Sequence, residues 1–215
     1  SENVYNSVDD YLSGLAKLYT SLGLSGLVGP DGDPDFQGFD EGFSTYSRSF
    51  WNAQELCTDE AVSRGDASAG LPDFHFQSWT PTNQYLGILH SRIMYLVAVC
   101  NEYIRAAKNS GYPEVDVFVA EARFIRALGY WHAMDLFGTS PFVTEDDLPG
   151  SFFPVRANRE DLFNYVETEL MDIESVLGEP RFQYGRVDKA AAWMLLSKIY
   201  LNAEVYVDEN RYDDA

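Results

Sequence analysis

Two cysteines, three histidines and fifteen lysines or arginines are all that 215 residues hold of each type, and each scarcity removes a class of function. Cys57 and Cys100 do not form a Cys-x-x-Cys pair, which argues against thiol-redox chemistry and a zinc site. Two thiols neither demand nor exclude a disulfide, and buried free cysteines are the favoured reading. His75, His90 and His132 are far apart, and no His-x-x-x-His motif exists. Against 15 cations stand 34 carboxylates, a formal net charge of −19. That balance disfavours nucleic acid and anionic lipid, both of which need cationic surface. No apolar run approaches the roughly 18 residues of a membrane-spanning helix. A Gly-x-Ser-x-Gly elbow, a P-loop and a dinucleotide fingerprint are also missing.

What is plentiful is apolar and aromatic. The hydrophobic fraction is 46%, that of a globular chain able to bury a core. Aromatics reach 15%, with 14 Tyr, 14 Phe and 4 Trp. Helix packing absorbs most of these. A sugar-binding surface also uses them, because the CH face of a pyranose stacks on an aromatic ring while its hydroxyls seek planar polar partners.

The periodicity predicts a mostly helical fold. A first helix is expected over 3–22, followed by a Gly/Asp/Pro-rich loop over 23–45 and a short helix over 46–60. A second irregular stretch runs from Arg64 to Trp79. Thr80-Pro81 reads as cap and first helical position of a helix over about 82–108. An amphipathic helix is expected over 114–137, stopped by Gly138 with Pro141 beyond, then a loop over 138–157. Asn158, with Glu160 and Asp161 in the first turn, caps the next helix. Asp188 caps one over about 189–205. Loops as long as 23–45 are commonly functional.

The run Glu121-Ala122-Arg123-Phe124-Ile125-Arg126-Ala127, continuing through Tyr130-Trp131 to Asp135-Leu136-Phe137-Gly138 and Pro141-Phe142-Val143, resembles the signature helix of SusD/RagB-like proteins. Glu41–Arg48, Leu56–Val62, Trp79-Thr80-Pro81-Thr82-Asn83, Val99–Ile104 and Gly185–Leu201 resemble further patterns of that family, in its order. Its members are surface lipoproteins that bind nutrients, mostly glycans. The resemblance implies an all-α fold of tetratricopeptide-like helical hairpins with long irregular ligand-binding loops. Residues 1–215 then read as the N-terminal portion of a SusD-like domain, with helices and long loops to about 80 and antiparallel hairpins from about 81. It also implies a lipid anchor outside these residues, a surface-exposed outer-membrane location and a SusC-like TonB-dependent transporter as partner.

Trp79 and Asn83 are the leading candidates for glycan contact, since a loop can expose a ring and an amide together. In the family, a tryptophan and an asparagine at this position contribute to the glycan site, as does an upstream arginine, matched here by Arg64. Asp66 and His75 complete the set, with solvated loop residues as their simpler reading. The competing reading of Trp79 is a hydrophobic staple before the Thr80 cap, and of Asn83 a first-turn residue. Tyr130, Trp131 and Trp193 read as packing residues, and Trp51 as intermediate. The Asp31, Asp33, Asp35 alternation resembles part of a calcium loop but lacks its continuation, so a solvated loop is expected.

Asp59-Glu60 makes a poor acid/base dyad, because adjacent side chains diverge whereas glycosidases hold two carboxyls about 5–10 Å apart across the scissile bond. The expected function is capture of oligosaccharide without cleavage, with no cofactor or metal. The alternatives are peptide capture within the same family, a helical-repeat scaffold that binds proteins only, and a secreted glycosidase.

Overall fold

The computed structural model describes residues 4–27, 33–35, 37–39, 41–64, 70–148, 150 and 153–215. Within them the chain is mostly helical, as expected. The helices are α1 (Val8–Thr20), α2 (Tyr46–Glu55), α3 (Pro72–His75), α4 (Gln84–Ala107), α5 (Pro113–Phe137), α6 (Arg159–Glu174), α7 (Lys189–Leu201) and α8 (Ala203–Val207). Two short strands, β1 (Ser140–Phe142) and β2 (Val155–Ala157), pair antiparallel with Pro141 opposite Arg156. They lie inside the segment 138–157 that reads as loop from its prolines. The chain divides into a unit of Ser1–Leu18 with Leu96–Ala215 and a unit of Tyr19–Tyr95.

In the unit Ser1–Leu18 with Leu96–Ala215, α5 packs on α6, and α6 on α7 and α8. Helix α5 is not amphipathic as expected: Val115, Phe118, Ala122, Ile125, Ala127, Tyr130 and Met134 are buried, and so are Glu121 and Arg126. Buried charge demands a partner, and the charges of the signature motif find theirs outside it. Arg126 donates to Asn101 Oδ1 at 2.7 Å, to Glu169 Oε2 at 3.0 Å and to Glu145. Arg123 reaches Glu169 Oε1 at 2.6 Å. Glu121 pairs with Arg186, whose guanidinium lies 4.9 Å from the Phe118 ring centroid and 5.1 Å from that of Phe182. The charges of this motif are therefore part of the ionic interior of this unit.

Gly138 ends α5 in the left-handed region at φ 75°, as expected, and its N–H donates to Met134 O. Asn158 and Asp161 form a reciprocal capping box on α6. Asp188 caps α7 by accepting from Ala191 N. The helix expected to 205 breaks at Asn202, and α8 carries Tyr206 back to α5, where its hydroxyl donates to Asp135 Oδ1 at 2.7 Å. Trp131 is half-buried beneath Lys198, whose Nζ lies 5.5 Å from the ring. Trp193 is no core residue: it is 45% exposed and its indole N–H donates to Glu174. Cys57 and Cys100 are free thiols, the first half-buried and the second buried.

In the unit Tyr19–Tyr95, Leu56, Leu71, Phe74, Tyr85 and Ile88 form the core, flanked by Phe39, Phe43 and Ala53. The described part of the early loop is tied down chiefly from α4. Arg92 on α4, fully buried, donates to Ser25 O at 2.8 Å, to Ser44 O and to Asp35 Oδ2 at 2.8 Å. Tyr95 donates to the other Asp35 oxygen at 3.0 Å. Asp35 is thus a buried counter-ion, not the solvated loop residue its spacing implies; Asp31 falls outside the described residues.

Candidate functional site

The irregular stretch before α4 contains α3, a single turn begun by Pro72, whose fixed φ suits a first helical position. Phe74 on this turn is 2% exposed and belongs to the core. Burying such a ring contributes about 1.5–3 kcal/mol, enough to anchor a short turn. The chain then emerges completely. His75, Phe76, Gln77, Ser78, Trp79, Thr80, Pro81 and Thr82 are all exposed, before Asn83 turns back inside.

Two rings stand in solvent here, Phe76 at 73% and Trp79 at 44% exposure. Each is braced on one side. The Trp79 ring leans on Phe74 with centroids 6.2 Å apart and planes at 36°. His75 meets Phe76 edge-on at 5.2 Å and 71°. The hydroxyls of Thr80 and Thr82 are 2.9 Å apart. The run from His75 to Thr82 contains no Asp, Glu, Lys or Arg in a chain of net charge −19. Flat apolar faces, hydroxyls and amides without fixed charge suit a neutral, hydroxyl-rich ligand.

Asn83 carries this geometry from beneath. Its Nδ2 donates to Gly70 O at 2.9 Å and to Asp73 Oδ2 at 3.0 Å. Its Oδ1 accepts from Tyr85 N at 3.0 Å and Leu86 N at 3.3 Å. Asn83, not Thr80, is therefore the cap of α4, while Thr80 to Asn83 form a turn closed by Asn83 N to Thr80 O at 3.0 Å. With both amide hydrogens and the oxygen committed, Asn83 holds the loop and has no amide hydrogen left for a ligand. Gly70 permits the approach: its φ is +81°, and a Cβ there would lie 2.8 Å from Asn83 Nδ2.

Trp79, His75 and Asn83 thus share one loop. Arg64 is exposed, with no hydrogen bond or ion pair to another described residue, and Asp66 lies outside the described residues. Phe76 and Gln77 lie on the same candidate loop and were not singled out by the sequence reading. The signal was the uncharged His-Phe-Gln-Ser-Trp run, but Phe74 and Phe76 look alike until the fold sends one inward. Among the described residues no group of three His, Cys, Asp or Glu is placed to hold a metal ion.

The starch-binding protein SusD of Bacteroides thetaiotaomicron is 37% identical over 202 residues, which are 93% of this chain and 36% of that protein. The chain therefore spans about a third of that relative's length. A laminarin-binding SusD-like protein superposes with a TM-score of 0.69 at 22% identity, over 94% of this chain and 41% of the other. A structure described as with xylogluco-oligosaccharide gives 0.69 at 22% identity, over 89% of this chain and 34% of the other. No family model matches the chain. In sequence along almost its whole length, and in fold, the chain belongs to the SusD-like family.

Proposed function

We propose that this chain captures neutral oligosaccharide at the cell surface without cleaving it, and that the loop His75–Thr82 is its contact surface. A sugar ring lays its CH face on Trp79, and a neighbouring ring meets Phe76. Hydroxyls bond to Ser78, Thr80, Thr82 and His75, and Arg64 supplies a further hydrogen-bond donor to the ligand. Asn83 positions the loop. In keeping with the family, the protein is lipid-anchored in the outer membrane and hands its glycan to a SusC-like TonB-dependent transporter. The observation that carries this reading is the eight-residue, charge-free, solvent-exposed aromatic run in a relative of a starch-binding protein.

The test is calorimetric titration of the intact protein with maltoheptaose, laminarihexaose, a xyloglucan oligosaccharide and a mixed peptide pool, for wild type and Trp79→Ala. At least one of the glycans binds, without release of new reducing ends on long incubation. Loss of one stacking face weakens that binding by about 1–3 kcal/mol, judged from base–aromatic stacking, or about one to two decades in affinity. Binding of peptide alone, or equal affinities for the two proteins, would overturn the reading.

A further inference from the structure

Helix α3 ends in a hydrogen-bond pattern that normally requires glycine. Gln77 N donates to Phe74 O at 3.1 Å, and Ser78 N donates to Asp73 O at 2.9 Å. These are the two bonds of a Schellman motif, with Gln77 at the left-handed position that follows the cap. Its φ is +51°. An L side chain there crowds the following carbonyl, so glycine, or failing that asparagine, is the ordinary occupant. Glutamine has no local compensation of the kind a shorter Asx side chain makes.

What it does have is reach. Gln77 Nε2 donates to Cys57 O at 3.1 Å, twenty residues earlier, in the turn that follows α2. The bond ties the apex of the aromatic loop to a separate part of the same unit. Without it the loop would hang from Phe74 on one side and Asn83 on the other, with all eight residues between them in solvent. Gln77 sits between Phe76 and Trp79 and reverses the chain there, so its conformation sets how the two rings face each other.

Resting on the glycan reading above, we infer that Gln77 is a positioning residue of the aromatic platform. Its strained backbone and its amide tether to Cys57 hold Phe76 and Trp79 in their binding arrangement before ligand arrives. Strained residues persist where surrounding structure fixes them, and they cluster at ligand sites. A preorganised surface loses less freedom on binding than a mobile one.

Gln77→Gly separates this role from a merely structural one. Glycine relieves the left-handed strain, so the variant melts at or above the wild-type temperature. It also removes the tether, so affinity in the same glycan titrations falls by about three- to tenfold, the scale of one lost preorganising contact. Gln77→Met, which keeps length but cannot donate, shows the same loss of affinity. In both variants Trp79 fluorescence becomes more accessible to acrylamide while far-ultraviolet circular dichroism is unchanged. Wild-type affinity in Gln77→Gly and Gln77→Met, beside weakened binding in Trp79→Ala, would overturn the positioning role and leave the platform standing. Unchanged affinity in Trp79→Ala would remove the platform and this inference with it.

Discussion

Asn83 shows how one residue can shape a candidate site through internal hydrogen bonds alone. Its amide caps α4 and clamps Gly70 and Asp73. Asn83→Ala removes the cap, which costs about 0.5–2 kcal/mol, and strands the Asp73 carboxylate and Gly70 carbonyl. The variant should lose about 2 kcal/mol or more by urea denaturation, since unsatisfied groups add to the cap. Asn83→Asp should recover only part of that: its carboxylate still accepts from Tyr85 and Leu86 N–H but cannot donate to Gly70 and faces Asp73. Equal stability of wild type and Asn83→Ala would return the residue to the ligand. The exposure of Trp79 was legible in the sequence because an aromatic beside turn residues and a helix start has little core to enter. Asn83's part was not, because Thr80-Pro81 makes an equally good local start signal and only the tertiary position of Gly70 and Asp73 chooses between them. Arg92 was wholly illegible: nothing near it in sequence announces partners at Ser25, Asp35 and Ser44.

At the scale of elements, α5 is the instructive case. Its limits, its glycine stop and its family identity could be read in advance, but not its environment, since apolar spacing predicts an exposed face where the structure buries Glu121 and Arg126. Periodicity marks which residues avoid water and is blind to charges that take partners inside. Removing one partner of such a buried set leaves uncompensated charge, so Arg126→Ala should lose about 3–5 kcal/mol in urea denaturation. Burial raises the Glu169 carboxyl, but Arg123 and Arg126 overcome that and hold it below the ordinary range. Its contribution is present above the unfolded carboxylate pKa and is lost as pH falls through the lower folded value. His132, also on α5, affects stability at higher pH. Burial, with Lys198 adding to it, pushes its pKa down to about 3 from 6.5. The unfolded chain therefore takes up a proton below pH 6.5 that the folded chain refuses, and stability drops by about 1.4 kcal/mol per pH unit from this group. In His132→Leu the urea midpoint should fall less between pH 7 and pH 5 than in wild type. Parallel slopes for the two proteins would show that His132 is protonated in the fold.

For the whole molecule, charge separates the two sorts of surface this chain presents. A net charge of −19 repels acidic polymers at long range, yet the loop from His75 to Thr82 carries no fixed charge and, as the proposed contact surface, has rings, hydroxyls and amides to offer. Neutral sugars bring no condensed counterions to release, so salt has nothing to compete with at the contact. Affinity for a neutral glycan should therefore stay constant within about twofold between 50 and 500 mM sodium chloride, a range over which the Debye length shrinks from roughly 14 to 4 Å. An acidic polysaccharide should be rejected most strongly at the low end and tolerated better as salt rises, because screening weakens only the repulsion. Titrations of maltoheptaose and polygalacturonate across that series read both effects. A neutral-glycan affinity that falls steeply with salt would mean that Arg64 and its neighbours, rather than the aromatic rings, carry the binding.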